Sequence, residues 1–246
     1  MQSKDREQKA QRIEKVAALL RQRLSGAGAD PVERFIRRYY AHVAPEDVLG
    51  QPVENLYGAA LSLWKFAERR ASGEAKIRVY NPRVEEHGWQ SPHTIVEVVN
   101  DDMPFLVDSV SAEFERSGLA MHLMVHPIVH LRRDREGKLI EFLDQPAPDD
   151  GAVGESLMHV EVSEQTQTDA LEDIKVGVLK VLGDVRAAVD DWRPMRRRLD
   201  EATQSLDRAP ASFDPEEVAE TRAFLEWLAD DHFTLLGYRE YDYKGK

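Results

Sequence analysis

The feature that most constrains the fold is a stretch in the middle of the chain that predicts a strand, a tight turn and a helix. Thr94–Val99 is a β-branched run typical of a strand. Asn100-Asp101-Asp102 then breaks it with residues that cap helices. Pro104 suits a first helical turn, because the N–H that it lacks has no intrahelical partner there. The turn therefore presents free helix N–H groups to one side.

The elements after this turn continue a β-α-β-β-α pattern. The helix ends at Ser117-Gly118, which is a typical stop signal. The later elements predicted are, in order, a strand over Leu119–Leu131, a hairpin turn at Asp134-Arg135-Glu136-Gly137, a return strand over Lys138–Leu143, a loop over Gln145–Glu155, a strand over Ser156–Ser163 and a helix from Thr168.

This order predicts an α+β fold with a single antiparallel sheet and two helices on one face, the ferredoxin-like arrangement. The pattern is one strand short of the full unit. Lys76–Asn81 alternates apolar and polar residues and ends at a proline, so it can supply the missing strand at an edge.

Helical segments precede and follow this domain. The residues up to Gly73 show only apolar stripes at helical spacing. Asp214-Pro215-Glu216-Glu217 is a strong helix start, with Val218, Thr221, Leu225 and Leu228 facing inward, and Phe233–Tyr243 predicts a strand without a return strand. The predicted segments are a helical segment at 1–75, the sheet domain at 76–190, connecting helices at 191–232 and the truncated first strand of a following domain at 233–246.

Composition limits the partners. The chain has 246 residues and no cysteine, which excludes disulfides and cysteine nucleophiles and favours a cytoplasmic location. Residues 94–190 carry 8 basic and 20 acidic side chains, so this region is a poor partner for nucleic acid. No apolar run is long enough for a membrane span.

No cofactor site is predicted within these residues. Neither the G-x-G-x-x-G turn of dinucleotide-binding folds nor a Walker-type loop occurs. His122, His126 and His130 recur at a spacing of four, which on a helix would converge on one metal ion. Their neighbours predict a strand, where four residues span roughly 13 Å, so we predict no metal site.

No catalytic residue is predicted either. The acidic residues near the turn are more simply caps or a polar helix face, and no base accompanies the nearby serines. His232 is interpreted as a turn or packing residue. The candidates set aside in this way are Asp101, Asp102, Asp108, Ser109 and Ser111.

The helix start after Asp102 is the remaining candidate site. Its free N–H groups could hold a carboxylate, such as that of an amino acid. A capped connection without a ligand explains the same residues equally well.

Two longer blocks resemble a known family. D-D-M-P-F-L-V-D-S-V, from Asp101, and F-L-E-W-L-A-D-D-H-F-T-L-L-G-Y-R-E-Y, from Phe224, resemble the N-terminal region of the large bacterial NAD-specific glutamate dehydrogenases. The turn in the first block is similar to the D-x-P-G-L turn of ACT domains, ferredoxin-like modules that pair side by side and often bind amino acids. The resemblance implies a parent enzyme that converts glutamate to 2-oxoglutarate and ammonia, with its NAD site and catalytic lysine far downstream.

The resemblance therefore implies a non-catalytic regulatory and oligomerisation module. Its implied partners are the rest of the enzyme, other subunits of a homo-oligomer and an amino-acid effector. The alternatives are a stand-alone ACT-type amino-acid sensor or dimerisation scaffold, and a self-contained metal-dependent hydrolase. Phe105 stands where effector-binding ACT domains carry glycine, which favours a structural or pairing role. The predicted effector or subunit-pairing turn comprises Asn100, Asp101, Asp102, Met103, Pro104, Phe105 and Leu106.

Overall fold

The computed structural model describes residues 2–24, 26, 28–145 and 151–241. The chain divides into two compact units, one ending at Leu182 and the other beginning at Gly183. The first unit contains the sheet and the helices before it. No helix in the described ranges combines the length and the apolar character that crossing a membrane requires.

Four helices form the N-terminal part of the first unit. Their apolar stripes are buried as the sequence predicts, with Phe35 and Ile36 of the second helix completely inaccessible. Leu24, at the end of the first stripe, is exposed instead. The helices are α1 (Gln2–Arg23), α2 (Ala29–Tyr40), α3 (Pro45–Leu49) and α4 (Val53–Ala67).

In the described part of the chain the sheet is antiparallel throughout and has six strands. The path runs β1-β2-β6-β4-β5, and β3 also pairs with β6. β1 therefore lies at an edge beside β2, as the sequence predicts for Lys76–Asn81. The strands are β1 (Lys76–Tyr80), β2 (Thr94–Asp101), β3 (Met121–Val125), β4 (Ile128–Arg133), β5 (Leu139–Leu143) and β6 (Val153–Val162).

The single strand predicted over Leu119–Leu131 is divided into β3 and β4. The interruption lies at His126-Pro127, where proline has no N–H for the ladder. Both pieces pair with β6. Between them the Pro127 carbonyl accepts a hydrogen bond from Leu157 N–H at 3.1 Å, so the contact with β6 continues across the interruption. The predicted hairpin is confirmed: Asp134 N–H donates to the Lys138 carbonyl at 2.9 Å, and Gly137 has φ +77°.

Both faces of the central strands β2 and β6 are buried. One face packs on the N-terminal helices: Val99 and Leu157 share an apolar cluster with Phe35, Leu63 and the other buried helix residues. This is why the helices and the sheet belong to one compact unit.

The opposite face carries Val96, Val98 and Val160, which are completely buried outside that cluster. The helices that follow β2 and β6 are α6 (Leu106–Arg116) and α7 (Thr168–Asp190), and their apolar stripes are buried as well. They lie side by side, since a Cβ added at Gly177 would come within 2.3 Å of the Glu113 carboxylate. We conclude that α6 and α7 cover this face. A short helix, α5 (Val84–His87), lies between β1 and β2.

The regular elements described in the second unit are helical. α8 (Trp192–Ser205) leads through a 3-10 turn to α9 (Pro215–Trp227), which starts as predicted, with the Asp214 carboxylate accepting from Glu216 N–H at 2.9 Å. The predicted inward face of α9 is confirmed only in part: Val218, Leu225 and Leu228 are half-buried, Thr221 is exposed, and no residue of the helix is fully buried. Within the described part of this unit, α9 contacts α8 and the turn at Leu228–His232. The residues of the predicted inward face are Val218, Thr221, Leu225 and Leu228.

The strand predicted over Phe233–Tyr243 is not formed in the described part of the chain. A π-helical turn at Leu228–His232 is followed by irregular backbone up to Tyr241. A strand requires a neighbour for its N–H and C=O groups, and none of the described strands pairs with this segment. Residues 242–246 lie outside the described ranges, so their place in a following domain stays a prediction.

Candidate functional site: the turn between β2 and α6

The turn from Asn100 to Leu106 is anchored at both ends in the core. Asn100 is 1% exposed and its side-chain amide donates to the Asp101 carbonyl at 3.0 Å. Leu106 is 2% exposed and begins α6. Between these anchors Met103 is half-buried, and Asp102 and Pro104 are exposed. The turn therefore presents its middle residues at the surface on a fixed backbone.

The prediction that Asp101 and Asp102 cap the helix is wrong. Phe105, not an aspartate, stands at the N-cap position of α6, and it makes no side-chain cap hydrogen bond. The Asp101 carboxylate instead accepts from the Arg70 guanidinium at 2.5 Å. The Asp102 N–H donates to the Gly154 carbonyl at 3.0 Å, which continues the β2–β6 ladder past the end of the strand. Both residues thus fasten the turn to the sheet.

Phe105 occupies the N-cap position of α6 in a left-handed conformation, with φ +71°. It is the only non-glycine residue with positive φ in the described ranges. Its ring is 45% exposed. A residue with an L side chain adopts this conformation at a cost of about 1–2 kcal/mol, whereas glycine, which has no Cβ, adopts it without strain. This explains why a D-x-P-G-L turn has glycine at the equivalent position. A left-handed residue cannot be part of a right-handed α-helix. The helix therefore begins after Phe105, at Leu106, rather than at Pro104.

This conformation predicts an unusual order of stability between two variants. Phe105→Gly and Phe105→Ala both remove the exposed ring, but only glycine adopts positive φ without strain. We expect Phe105→Gly to be the more stable of the two by about 1 kcal/mol, measured by urea unfolding. The opposite order would contradict the left-handed assignment.

The start of α6 offers hydrogen-bond donors for an anion. Ser109 N–H is bonded to the Phe105 carbonyl at 3.0 Å, and the N–H groups of the preceding turn have no intrahelical acceptor. His126 Nε2 and Ser156 Oγ form a hydrogen bond nearby. Burial lowers the pKa of His126, although the charge of Asp102 opposes this. A carboxylate or a segment of a second subunit is compatible with these donors.

A buried ion network lies directly under the turn. Glu155 is completely buried and accepts from Arg70 at 2.8 and 3.0 Å and from Arg133 at 2.7 Å on each carboxylate oxygen. Asp101 faces Glu155 across the β2–β6 ladder, and the Arg70 guanidinium bridges the two carboxylates. The network connects the end of α4 to β2, β4 and β6.

Sequence reasoning missed this network. The sequence predicts a loop at Glu155, and Arg70 lies in the segment up to Gly73 where it predicts only helices. A partial signal exists in Arg133, a charged residue at the end of an apolar strand. Its partners, however, are 22 residues away in Glu155 and 66 residues away at the Ala67 carbonyl.

A second buried charged cluster lies on the same sheet face, under α2. His159 is 1% exposed and has carboxylate oxygens of Glu97 and Glu161 3.8 Å from its two ring nitrogens. Glu97 also accepts from Arg78 at 3.0 Å and from the Tyr80 hydroxyl at 3.1 Å. Burial alone would lower the pKa of His159, but Glu161 and Glu97 outweigh it and raise the pKa.

The raised pKa of His159 predicts a pH dependence of stability. Its contribution is fully present below the ordinary pKa of 6.5 and is lost as the pH rises through the raised pKa. We expect the free energy of unfolding of the native chain to exceed that of His159→Gln most at about pH 6, and the gap to narrow toward about pH 9. Denaturant unfolding at several pH values measures this gap. The exposed His42→Gln should show no such trend, and a gap that widens with pH would contradict a charged His159.

The three histidines considered as metal ligands have separate surroundings. His122 stacks on His93 with ring centroids 4.1 Å apart, and His126 pairs with Ser156. His130 Nδ1 is buried without a hydrogen-bond partner among the described residues. No three His, Asp or Glu side chains of the described ranges are placed to hold a metal ion. His232 stacks on Trp227 within the helical unit, as a packing residue does.

Comparisons with known proteins identify the family. The family model described as "Glutamate dehydrogenase, ACT1 domain" matches residues 35–178. The chain is 40% identical over 224 residues to the NAD-specific glutamate dehydrogenase of Halomonas elongata and 36% identical over 222 residues to that of Pseudomonas aeruginosa. These alignments cover 91% and 90% of the chain but only 14% of each relative. The enzyme of Mycobacterium tuberculosis is 27% identical over 177 residues, 72% of the chain and 11% of that protein. The chain therefore belongs to the family of glutamate dehydrogenase ACT1 domains.

Proposed function

We propose that this chain is a non-catalytic N-terminal module that regulates and assembles an NAD-specific glutamate dehydrogenase. The observation that carries the proposal is the match of about nine-tenths of the chain to enzymes with this name, of which it spans only 14%. The chemistry proposed for the whole protein is oxidative deamination of glutamate to 2-oxoglutarate and ammonia. NAD would bind elsewhere in that protein, because the chain has no glycine-rich nucleotide loop.

The strand order supports an ACT-type, ferredoxin-like fold for the module. β1 lies beside β2 in the place of the fourth strand of the β-α-β-β-α-β unit, and α6 and α7 lie together on one face. The other face is covered by α1–α4. The turn from Asn100 to Leu106 and the strand edges at β1, β3 and β5 are surfaces through which the module can act.

We propose that the turn contacts another subunit or an amino-acid effector in a cytoplasmic homo-oligomer. The left-handed backbone at Phe105, the exposed ring and the free N–H groups of α6 support this role. A stand-alone sensor is not favoured, because the relatives that match almost the whole chain are several times longer.

The test compares the full-length enzyme with a variant that lacks residues 1–246. We expect the truncated enzyme to retain NAD-dependent oxidation of glutamate, while its oligomeric mass in sedimentation and its response to amino acids change. The isolated chain should show no turnover of glutamate with NAD. Turnover by the isolated chain, or unchanged assembly and unchanged effector response after truncation, would contradict the proposal.

A further inference from the structure

A cleft separates the N-terminal helices from the sheet, on the side of β6 away from the turn. We call it the α2–β6 cleft. Its inner part is a cavity of ≈ 30 Å³ and its outer part a groove of ≈ 460 Å³. Gln51, Asn55, Gln90 and Ser91 line both parts, so the cavity opens into the groove. All of its lining residues belong to the first unit.

The inner cavity contains a buried hydrogen-bond donor without an acceptor. Trp89 lines the cavity and is 3% exposed, and its Nε1 atom has no hydrogen-bond partner among the described residues. The same holds for Nδ1 of His159, another residue of the lining, from which the Glu97 carboxylate is 3.8 Å away. Buried polar atoms are almost always paired with protein, water or a ligand. These two nitrogen atoms therefore require an acceptor.

The same cavity contains a buried acceptor without a close donor. Glu161 is 9% exposed. Its carboxylate oxygens lie 3.8 Å from His159 Nε2 and from His93 Nε2, and 3.5 Å from Ser91 Oγ. Charge-assisted hydrogen bonds to a carboxylate are normally about 2.7–2.9 Å long. Burial alone would raise the pKa of Glu161, but His159 and His93 lower it, so the group is ionised and can only accept.

The buried charges at the cavity balance one another. Burial alone would lower the pKa of His159, but Glu161 and Glu97 raise it. Glu97 also accepts a hydrogen bond from Arg78 at 3.0 Å, so two carboxylates are matched by an imidazolium and a guanidinium. Asp47, a further carboxylate of the lining, is exposed to water. An ammonium or a carboxylate ligand would add an unmatched charge at a buried place, which is costly, so a neutral ligand fits best.

We propose that the α2–β6 cleft binds a primary carboxamide, with the amide head in the inner cavity. The carbonyl oxygen has two lone pairs for the donors Trp89 Nε1 and His159 Nδ1, and the NH₂ group donates to Glu161. One water molecule requires about 10–15 Å³ of such a cavity, so ≈ 30 Å³ admits a head of two or three heavy atoms. The rest of the ligand lies in the groove, among the amide side chains of Asn55 and Gln90. This inference is independent of the proposed function.

The first experiment measures the binding of acetamide to the 246-residue chain by saturation-transfer difference NMR of its methyl protons. We expect saturable binding. Acetate has no N–H and is charged, methylammonium has no acceptor, and N,N-dimethylacetamide has no N–H, so each should bind at least about tenfold more weakly. No saturable binding of acetamide would overturn the proposal and leave ordered water as the occupant of the cavity. Equal binding of acetate, methylammonium or N,N-dimethylacetamide would overturn it as well.

Glutamine and glutamate then identify the source of the carboxamide. The two amino acids have the same backbone and differ in the side-chain carboxamide or carboxylate. Binding of glutamine in preference to glutamate supports the proposal and assigns the amide of a free amino acid. Binding of acetamide without glutamine also supports it and assigns a smaller amide. A preference for glutamate over glutamine would contradict a carboxamide site.

Variants of the lining locate the site. Trp89→Phe removes the unpaired donor but keeps an aromatic ring, and Glu161→Gln removes the ionised acceptor. We expect each to weaken acetamide binding at least about fivefold in Kd, while Glu164→Gln in the outer groove changes it less than about twofold. The two inner variants act at opposite ends of the amide, so either one tests the site if the other does not fold. Unaltered binding in a folded Trp89→Phe or Glu161→Gln variant counts against the site.

Discussion

Glu155→Gln is expected to destabilise the chain by about 3–5 kcal/mol, because it removes the carboxylate that the buried guanidinium groups of Arg70 and Arg133 share. Glu155 is completely buried, and the side chains of Arg70 and Arg133 are 2% and 7% exposed. Glutamine keeps the shape but cannot match four charge-assisted hydrogen bonds. Urea unfolding, with the slope compared between variants, measures the effect.

A matched control separates this effect from the loss of a carboxylate in general. Glu141 also pairs with an arginine, Arg132, but this pair lies at the surface with the side chains 48% and 28% exposed. Glu141→Gln should cost less than about 1 kcal/mol. A loss below that value in Glu155→Gln would mean that the network contributes to specificity rather than to stability.

Leu106→Asp should be the other severe substitution, with a loss of at least about 4 kcal/mol. Leu106 is 2% exposed at the first position of α6, where the turn meets the core. Aspartate would leave a cavity there and bury a charge that has no partner. Thermal unfolding followed by circular dichroism should show a much lower Tm, or no cooperative transition.

Val176→Asp provides the control for this second prediction. The same charge is then placed on α7 at a position that is 56% exposed, where water solvates it. We expect a Tm close to that of the native chain. If Leu106→Asp melts at the native temperature, α6 does not pack on the sheet through this residue.

Local elements could be predicted from the sequence because their causes lie within a few residues. The cap at Asp214, the hairpin at Asp134-Gly137 and the end of α6 at Gly118 all depend on backbone preferences and short-range hydrogen bonds. The edge position of Lys76–Asn81 followed from counting the strands that a ferredoxin-like sheet needs. By contrast, the strand over Phe233–Tyr243 depended on a partner outside the segment, and the described residues supply none.

The candidate sites could be predicted only in part. The sequence located the turn before α6, but it assigned Asp101 to a cap, since the Arg70 that binds it is 31 residues away. The alternation of β6 placed Leu157, His159 and Glu161 on one face without indicating whether that face meets water or protein.

The sequence by itself determined an antiparallel sheet with Lys76–Asn81 at its edge, the helix that follows the turn and the resemblance to the family, because these are encoded in local patterns and in two long blocks of residues. Only the tertiary structure decided that α1–α4 cover the second face of the sheet. That covering removes Glu155, His159 and Glu161 from water, so their charges must be matched by Arg70, Arg133 and each other. A charged side chain acquires this requirement only when distant segments exclude water from it, which no local pattern specifies.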